Sequence, residues 1–148
     1  MTKSFAKNKK AFHDYEILEK FEAGIMLNGD EVKSIRGSQI NLKGAYITID
    51  EDEAYINEAH ISRYSHSSRQ EHEPTRKRKL LLKTREIQKI GKEISQNGIT
   101  CIPLEIYPKG GLIKLQIGLC RGKKMHDKRD SLKRKDQERQ IQRQVKDF

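Results

Sequence analysis

Arg76-Lys77-Arg78-Lys79 is the run of this chain with the most definite chemistry. Pro74 stiffens the approach to it and Leu80-Leu81-Leu82 follow, so the four cations are tied to a core rather than free in solvent. In an extended segment Arg76 and Arg78 fall on one side, Lys77 and Lys79 on the other. Guanidinium groups hold phosphates bidentately and stack on bases, which suits a polyanionic partner. The competing reading is a solvated basic stretch, and the residue types alone leave both open.

Groups that could support catalysis or metal binding are fewer. His60, His66 and His72 are spaced by six, but no Cys or acidic residues accompany them at metal-ligand spacing, so they are expected to be loop histidines. Asp50 to Glu53 are consecutive carboxylates without the glycine pivot of a calcium loop, and read as a solvated turn. GxSxG, P-loop, HExxH and dinucleotide-binding patterns are absent from the sequence. Cys101 and Cys120 fall on different predicted strands without a CxxC spacing, which implies reduced, partly buried thiols rather than a disulfide. The expectation is a protein without catalytic residues, metal or cofactor.

Charge is segregated along the chain. Residues 11–75 carry six cations against thirteen carboxylates, a net of −7, whereas Arg76 to Lys92 carry eight against one, a net of +7. Arg121 to Phe148 adds eleven against five, a net of +6, with few apolar residues to bury. Such a tail cannot recover its ordering entropy by packing on itself, and is expected to order against a polyanion. The whole chain stands at +10, which favours phosphate partners, with an anionic membrane surface as the competing explanation. Its 148 residues with 34% hydrophobic content suit one small core. No apolar run reaches the roughly 18 residues of a membrane span, and Met1 to Phe5 lacks a secretory hydrophobic region, so a soluble cytoplasmic protein is expected.

The elements that must position these groups follow from periodicity. Residues 1–12 read as a flexible basic N-terminal arm. From Tyr15 to Leu27 an imperfect alternation predicts a long bent strand ended by Asn28-Gly29. Asp30 to Arg36 is a short helix with acids at its start, stopped by Gly37. Gly44 to Ile49 and Ala54 to Ile61 form a hairpin, and Ser62 to Pro74 a polar surface loop. Ile87, Ile90 and Ile94 recur at helical spacing, which predicts a helix over Arg85 to Gln96 with Thr84 as N-cap and Asn97-Gly98 as the stop. Thr100 to Tyr107 and Leu112 to Leu119 flank Pro108-Lys109-Gly110-Gly111 as a second hairpin. Five or six strands with two or three short helices indicate a mainly β fold, a small closed or partly open antiparallel barrel over residues 13–120. Such barrels bind nucleic acid on a strand face, with Tyr46, Tyr55 and Tyr107 as candidate stacking residues.

Six runs stand in order along the chain: Asn8-Lys9-Lys10-Ala11-Phe12-His13-Asp14-Tyr15, Phe21-Glu22-Ala23-Gly24-Ile25, Gly29-Asp30-Glu31-Val32-Lys33-Ser34-Ile35-Arg36, Asn41-Leu42-Lys43, Pro74-Thr75-Arg76-Lys77-Arg78-Lys79-Leu80-Leu81-Leu82 and Gly122-Lys123-Lys124-Met125-His126-Asp127-Lys128-Arg129. Together they resemble the transfer-messenger-RNA-binding small protein B family, also called SsrA-binding proteins. Departures are small: Glu73 where the family usually has Asp, Arg121 where Lys is common, and Ala45 where Ser often precedes Tyr46. Beyond Arg129 the likeness is one of character only.

The resemblance implies a non-enzymatic partner in ribosome rescue, with an OB-like barrel gripping the elbow of the tRNA-like domain of transfer-messenger RNA. It implies that Glu22, Leu81 and Lys114 lie at the RNA site, where a carboxylate accepts from base or 2′-hydroxyl donors. His13, Lys33, Arg36, Arg76, Arg78 and Lys79 complete the expected RNA-binding set. Residues 121–148 are then a tail ordered on the ribosome, with Gly122 as a pivot and Lys123, Lys124, Asp127, Lys128 and Arg129 against small-subunit RNA. His126 matches a tail residue placed at the decoding centre. Implied partners are transfer-messenger RNA, the ribosome and, through the RNA, an elongation factor; no membrane is implied, and the protein is expected to be a monomer. The runner-up is a ribosomal or ribosome-assembly protein that binds ribosomal RNA through the same barrel.

Overall fold

The computed structural model describes residues 4–66, 72–96 and 98–122. Within them the chain runs β1 (Ala6–Lys7), α1 (Lys9–Asp14), β2 (Tyr15–Ile25), α2 (Gly29–Arg36), β3 (Ile40–Asn41), β4 (Tyr46–Asp50), β5 (Glu53–Asn57), β6 (His60–Ile61), β7 (Arg78–Leu81), α3 (Thr84–Ile94), β8 (Ile99–Lys109) and β9 (Leu112–Gly122). Seven strands form one antiparallel sheet in the order β1-β8-β9-β2-β7-β5-β4, and β3 pairs with β6 alone. The fold is mainly β with three helices. The sheet curls until β4 lies alongside β8, but no ladder joins the two, so the curl stays open along that seam.

Turn chemistry explains both hairpins. Gly110 and Gly111, at φ of 56° and 78°, make the two-residue loop between β8 and β9 without a Cβ penalty. Between β4 and β5 the same left-handed backbone is taken by Glu51 and Asp52, at 50° and 63°, in the acidic turn the sequence predicts. Glu58 at 64° then turns the chain away, so His60 and Ile61 leave the hairpin and Ile61 pairs with Ile40 instead.

Alternation along the long strands sets the core. Phe21 and Ala23 of β2 and Ile113, Leu115, Ile117 and Leu119 of β9 are buried on one face, with Ile87 and Ile90 of α3 against them. The bend expected in β2 is a register shift between Ile17 and Glu19. Thr84 is the first residue of α3 rather than its cap: the Glu86 carboxylate accepts the Lys83 N–H at 2.9 Å.

From Phe5 onward the N-terminal segment is hydrogen-bonded to β8, which the composition of a basic arm does not indicate. Phe5 and Asn8 N–H groups donate to the Ile106 and Leu104 carbonyls, each at 2.8 Å. The Asn8 side chain is buried, donates to the Pro103 carbonyl at 2.9 Å and accepts from the Ala11 N–H that opens α1. Ala11 thereby joins Ile102, Leu104 and Cys120 in a small second core. Lysine counting misses this because one buried amide and one methyl group hold the helix down while its lysines point to water.

Candidate nucleic-acid interface

Because Phe21 and Ala23 face inward, Glu22 faces out, and the ladders carry its neighbours to the same face. Gly24 of β2 stands opposite Lys114 of β9 on one side and Leu81 of β7 on the other. A Cβ at Gly24 would lie 3.3 Å from the Leu81 Cβ, so the glycine admits the leucine across the strand. Leu81 stays 52% exposed, a large apolar side chain displayed among charges. Glu22, Leu81 and Lys114, far apart in sequence, line one groove of about 510 Å³ together with Lys83 and Glu86. A second groove of about 260 Å³ shares Gly24, Leu81 and Lys114 and extends to Val32 and Arg36 of α2.

Glu22 is held in place. Tyr107 Oη donates to its Oε2 at 2.5 Å, and Lys109 Nζ lies 3.1 Å from both carboxylate oxygens. The Tyr107 bond, then the Lys109 bond, keep the Glu22 carboxyl below its ordinary range. Burial and the bond to Glu22 push the Tyr107 phenol up. Arg36 Nη2 donates to the Gly111 carbonyl at 3.3 Å, which holds its guanidinium beside the same hairpin tip. The result is a fixed acceptor, an exposed apolar side chain and several cations on one strand face. The chemistry of that combination suits sugar hydroxyls, base edges and phosphates as ligands.

The basic run divides as alternation requires, but with the opposite use for its arginines. Arg78 is fully buried: its Nε donates to Glu31 Oε2 at 2.7 Å, and its other donors reach the Ala59, Pro74 and Arg76 carbonyls at 3.0–3.1 Å. Arg76 forks onto both oxygens of the same carboxylate at 2.8 and 2.7 Å. Arg78 therefore has no surface to offer an RNA, and its place in the expected RNA-binding set is corrected to that of a core clamp. Arg76 remains about one-third exposed. Lys77 lies over the Tyr55 ring at 4.4 Å, and Lys79 pairs with Glu53 at 2.8 Å, so the outward lysines carry the run's surface charge.

Glu31 is the residue that sequence reading passed over. It is buried, and burial alone would raise its carboxyl, but the Arg76 bond, the Asn28 N–H and Arg78 outweigh that and bring it down to about 2. A signal was present: Asn28 and Glu31 form a capping box, with the Glu31 N–H donating to Asn28 Oδ1 at 2.9 Å and the Asn28 N–H to Glu31 Oε1 at 3.0 Å.

Other expected residues scatter. His13 is exposed beside Asp14 at the opposite end of β2, seven strand residues or about 23 Å from Glu22 counted from Tyr15. Lys33 stands over the Tyr64 ring at 5.4 Å. Gly122 ends β9 opposite Tyr15; Lys123, Lys124, His126, Asp127, Lys128 and Arg129 lie outside the described residues. Cys101 and Cys120 are free and buried, which pushes the Cys120 thiol up to about 11. Among the described residues no group of three His, Cys, Asp or Glu could hold a metal ion, and no helix is long and apolar enough to cross a membrane.

Comparison with known proteins agrees along nearly the whole chain. The family described as SmpB protein matches residues 5–147. The SsrA-binding protein of Streptococcus mutans serotype c is 48% identical over 143 residues, 97% of this chain and 92% of that one. That of Lactococcus lactis subsp. cremoris is 50% identical over 146 residues, 99% of this chain and 94% of its own. A solved chain described as "tmRNA-SmpB: a journey to the center of the bacterial ribosome" has a TM-score of 0.71 at 38% identity, covering 97% of this chain and 98% of that one.

Proposed function

The chain belongs to the SmpB, or SsrA-binding, protein family, and from that premise we propose that it is the RNA-binding adaptor that delivers transfer-messenger RNA to the A site of stalled ribosomes. Its role is RNA binding in trans-translation rather than catalysis. The observation that carries the reading is the convergence of Glu22, Leu81 and Lys114 from three strands onto one groove. In this reading the curled sheet acts as an OB-like barrel and grips the tRNA-like domain through phosphates, sugar hydroxyls and base edges. Glu22 accepts from hydroxyl or amino donors, Lys114 and Arg36 meet phosphates, and Leu81 packs on a sugar or base. Lys33, Arg76 and Lys79 extend the electrostatic footprint around it, and His13 offers a separate contact at the far end of β2.

The tail has the second task. Gly122, the last described residue, stands at the end of β9 opposite Tyr15 and away from Glu22; the cations that follow suit the empty messenger channel, with His126 against the decoding centre and the elongation factor engaged only through the RNA. These partners make the protein cytoplasmic.

Truncation after Gly122 separates the two tasks. The shortened protein is expected to bind the isolated tRNA-like domain as the full chain does and to lose tagging of peptides on stalled ribosomes. A truncated but folded protein that no longer binds would move the RNA platform to the tail. Sequencing the RNA that co-purifies from cells decides the partner: a structured RNA with a tRNA-like end supports the reading, and ribosomal RNA alone overturns it.

A further inference from the structure

Tyr64 and His66 lie outside every RNA-binding residue considered above, yet they form a small aromatic corner. Their ring centroids are 5.5 Å apart with planes at 69°. Lys33 of α2 holds its ammonium 5.4 Å from the Tyr64 centroid, which ties the corner to the helix. Lys33 and Arg36 are three residues apart and share a helix face. Arg36 lines the groove that also holds Leu81 and Lys114. A basic strip therefore runs from the strand face, along α2, to a pair of rings.

The other tyrosines near cations are differently occupied. Tyr107 is bonded to Glu22, and the lysine over Tyr55 is itself drawn to Asp50, whereas no ion pair among the described residues holds Lys33 away from Tyr64. Two aromatic planes close to perpendicular let a third flat ring stack on one while meeting the edge of the other. A nucleobase laid on the Tyr64 face opposite the Lys33 ammonium would do both, with Lys33 and Arg36 of α2 as the nearest helix cations for adjoining phosphates.

We propose that the Tyr64–His66 corner stacks one unpaired nucleobase of the RNA that the Glu22–Lys114 face grips, with Lys33 and Arg36 holding the phosphates between them. The inference rests on the reading of the strand face as the RNA platform. It makes Tyr64 a determinant of affinity for RNA that carries an unpaired base beside the gripped helix.

The sequence contains no tryptophan, so Tyr64→Trp places a unique fluorophore in the full-length chain. Titrated with the isolated tRNA-like domain of transfer-messenger RNA, this variant is expected to lose most of its tryptophan emission in step with binding. Tyr64→Leu is expected to weaken binding about tenfold, Tyr64→Phe to leave it within about twofold, and neither to change the unfolding midpoint appreciably. Unchanged emission at saturating RNA overturns the proposal. So does full affinity in folded Tyr64→Leu. Should Tyr64→Leu fail to fold, the emission of Tyr64→Trp still decides. If the unaltered protein does not bind this RNA at all, the platform reading fails first, and the two failures are told apart.

Discussion

Glu22 and Glu31 are nine positions apart, both carboxylates surrounded by donors, and the fold gives them opposite work. Glu31 is buried beneath two guanidinium groups and closes a helix cap, so removing it strands charge inside the protein. Glu22 sits on the strand face at 37% exposure, bonded to a tyrosine and a lysine that remain in contact with water. Identical chemistry serves the fold in one place and displays an acceptor in the other. What separates them is which face of its element each occupies, and whether its donors are themselves buried.

The sharpest way to break this contrast is Glu31→Gln. With Arg78 left uncompensated, unfolding in denaturant is expected to show a loss of about 3–5 kcal/mol, while RNA affinity per folded molecule is unchanged. A loss under about 1 kcal/mol would mean that the Ala59, Pro74 and Arg76 carbonyls suffice for Arg78. Acid tests the same node. Its folded-state carboxyl at about 2 lies below the ordinary 4.5, so the unfolded chain binds that proton more readily. The stabilisation is complete above about 4.5 and is lost as pH falls from there toward 2. Stability curves for the unaltered protein and Glu31→Gln should therefore converge across that window; parallel curves would show that Glu31 is not the group responsible.

On the other side of the contrast, Glu22→Ala and Lys114→Glu are expected to weaken RNA binding by about tenfold each, a shift of about 1.4 kcal/mol. Stability should move by no more than about 0.5 kcal/mol, as for other surface positions. Lys114→Ala should also lower the salt dependence of binding by about one unit of slope. Unfolding of either variant with normal affinity per folded molecule would reassign that residue to the structure. The smallest effect is expected from Tyr107→Phe, which frees Glu22 without removing it: binding should weaken by about two- to threefold, read in the same titration.

Much of the architecture was legible before any coordinates. The two hairpins, α2 stopped at Gly37 and the isoleucine stripe of α3 are local consequences of period, turn residues and caps, which neighbouring residues specify among themselves. The family resemblance points to Glu22, Leu81 and Lys114, and the ladders bring them to one groove. The anchoring of residues 5–14 is not legible in the sequence, because a buried Asn8 amide leaves no periodic trace.

Taken alone, the sequence determined the signs and places of charge, the periods of the strands and helices, and the family to which the chain belongs. Alternation even required Arg76 and Arg78 to share a side. Only the tertiary structure decided that this side faces inward, where α2 delivers Glu31 from 45 and 47 positions away. The physical reason is that a guanidinium binds a phosphate and a carboxylate by the same fork, so residue type cannot choose between a ligand and a neighbour. Burial makes that choice, and burial depends on contacts between segments that the local pattern does not encode.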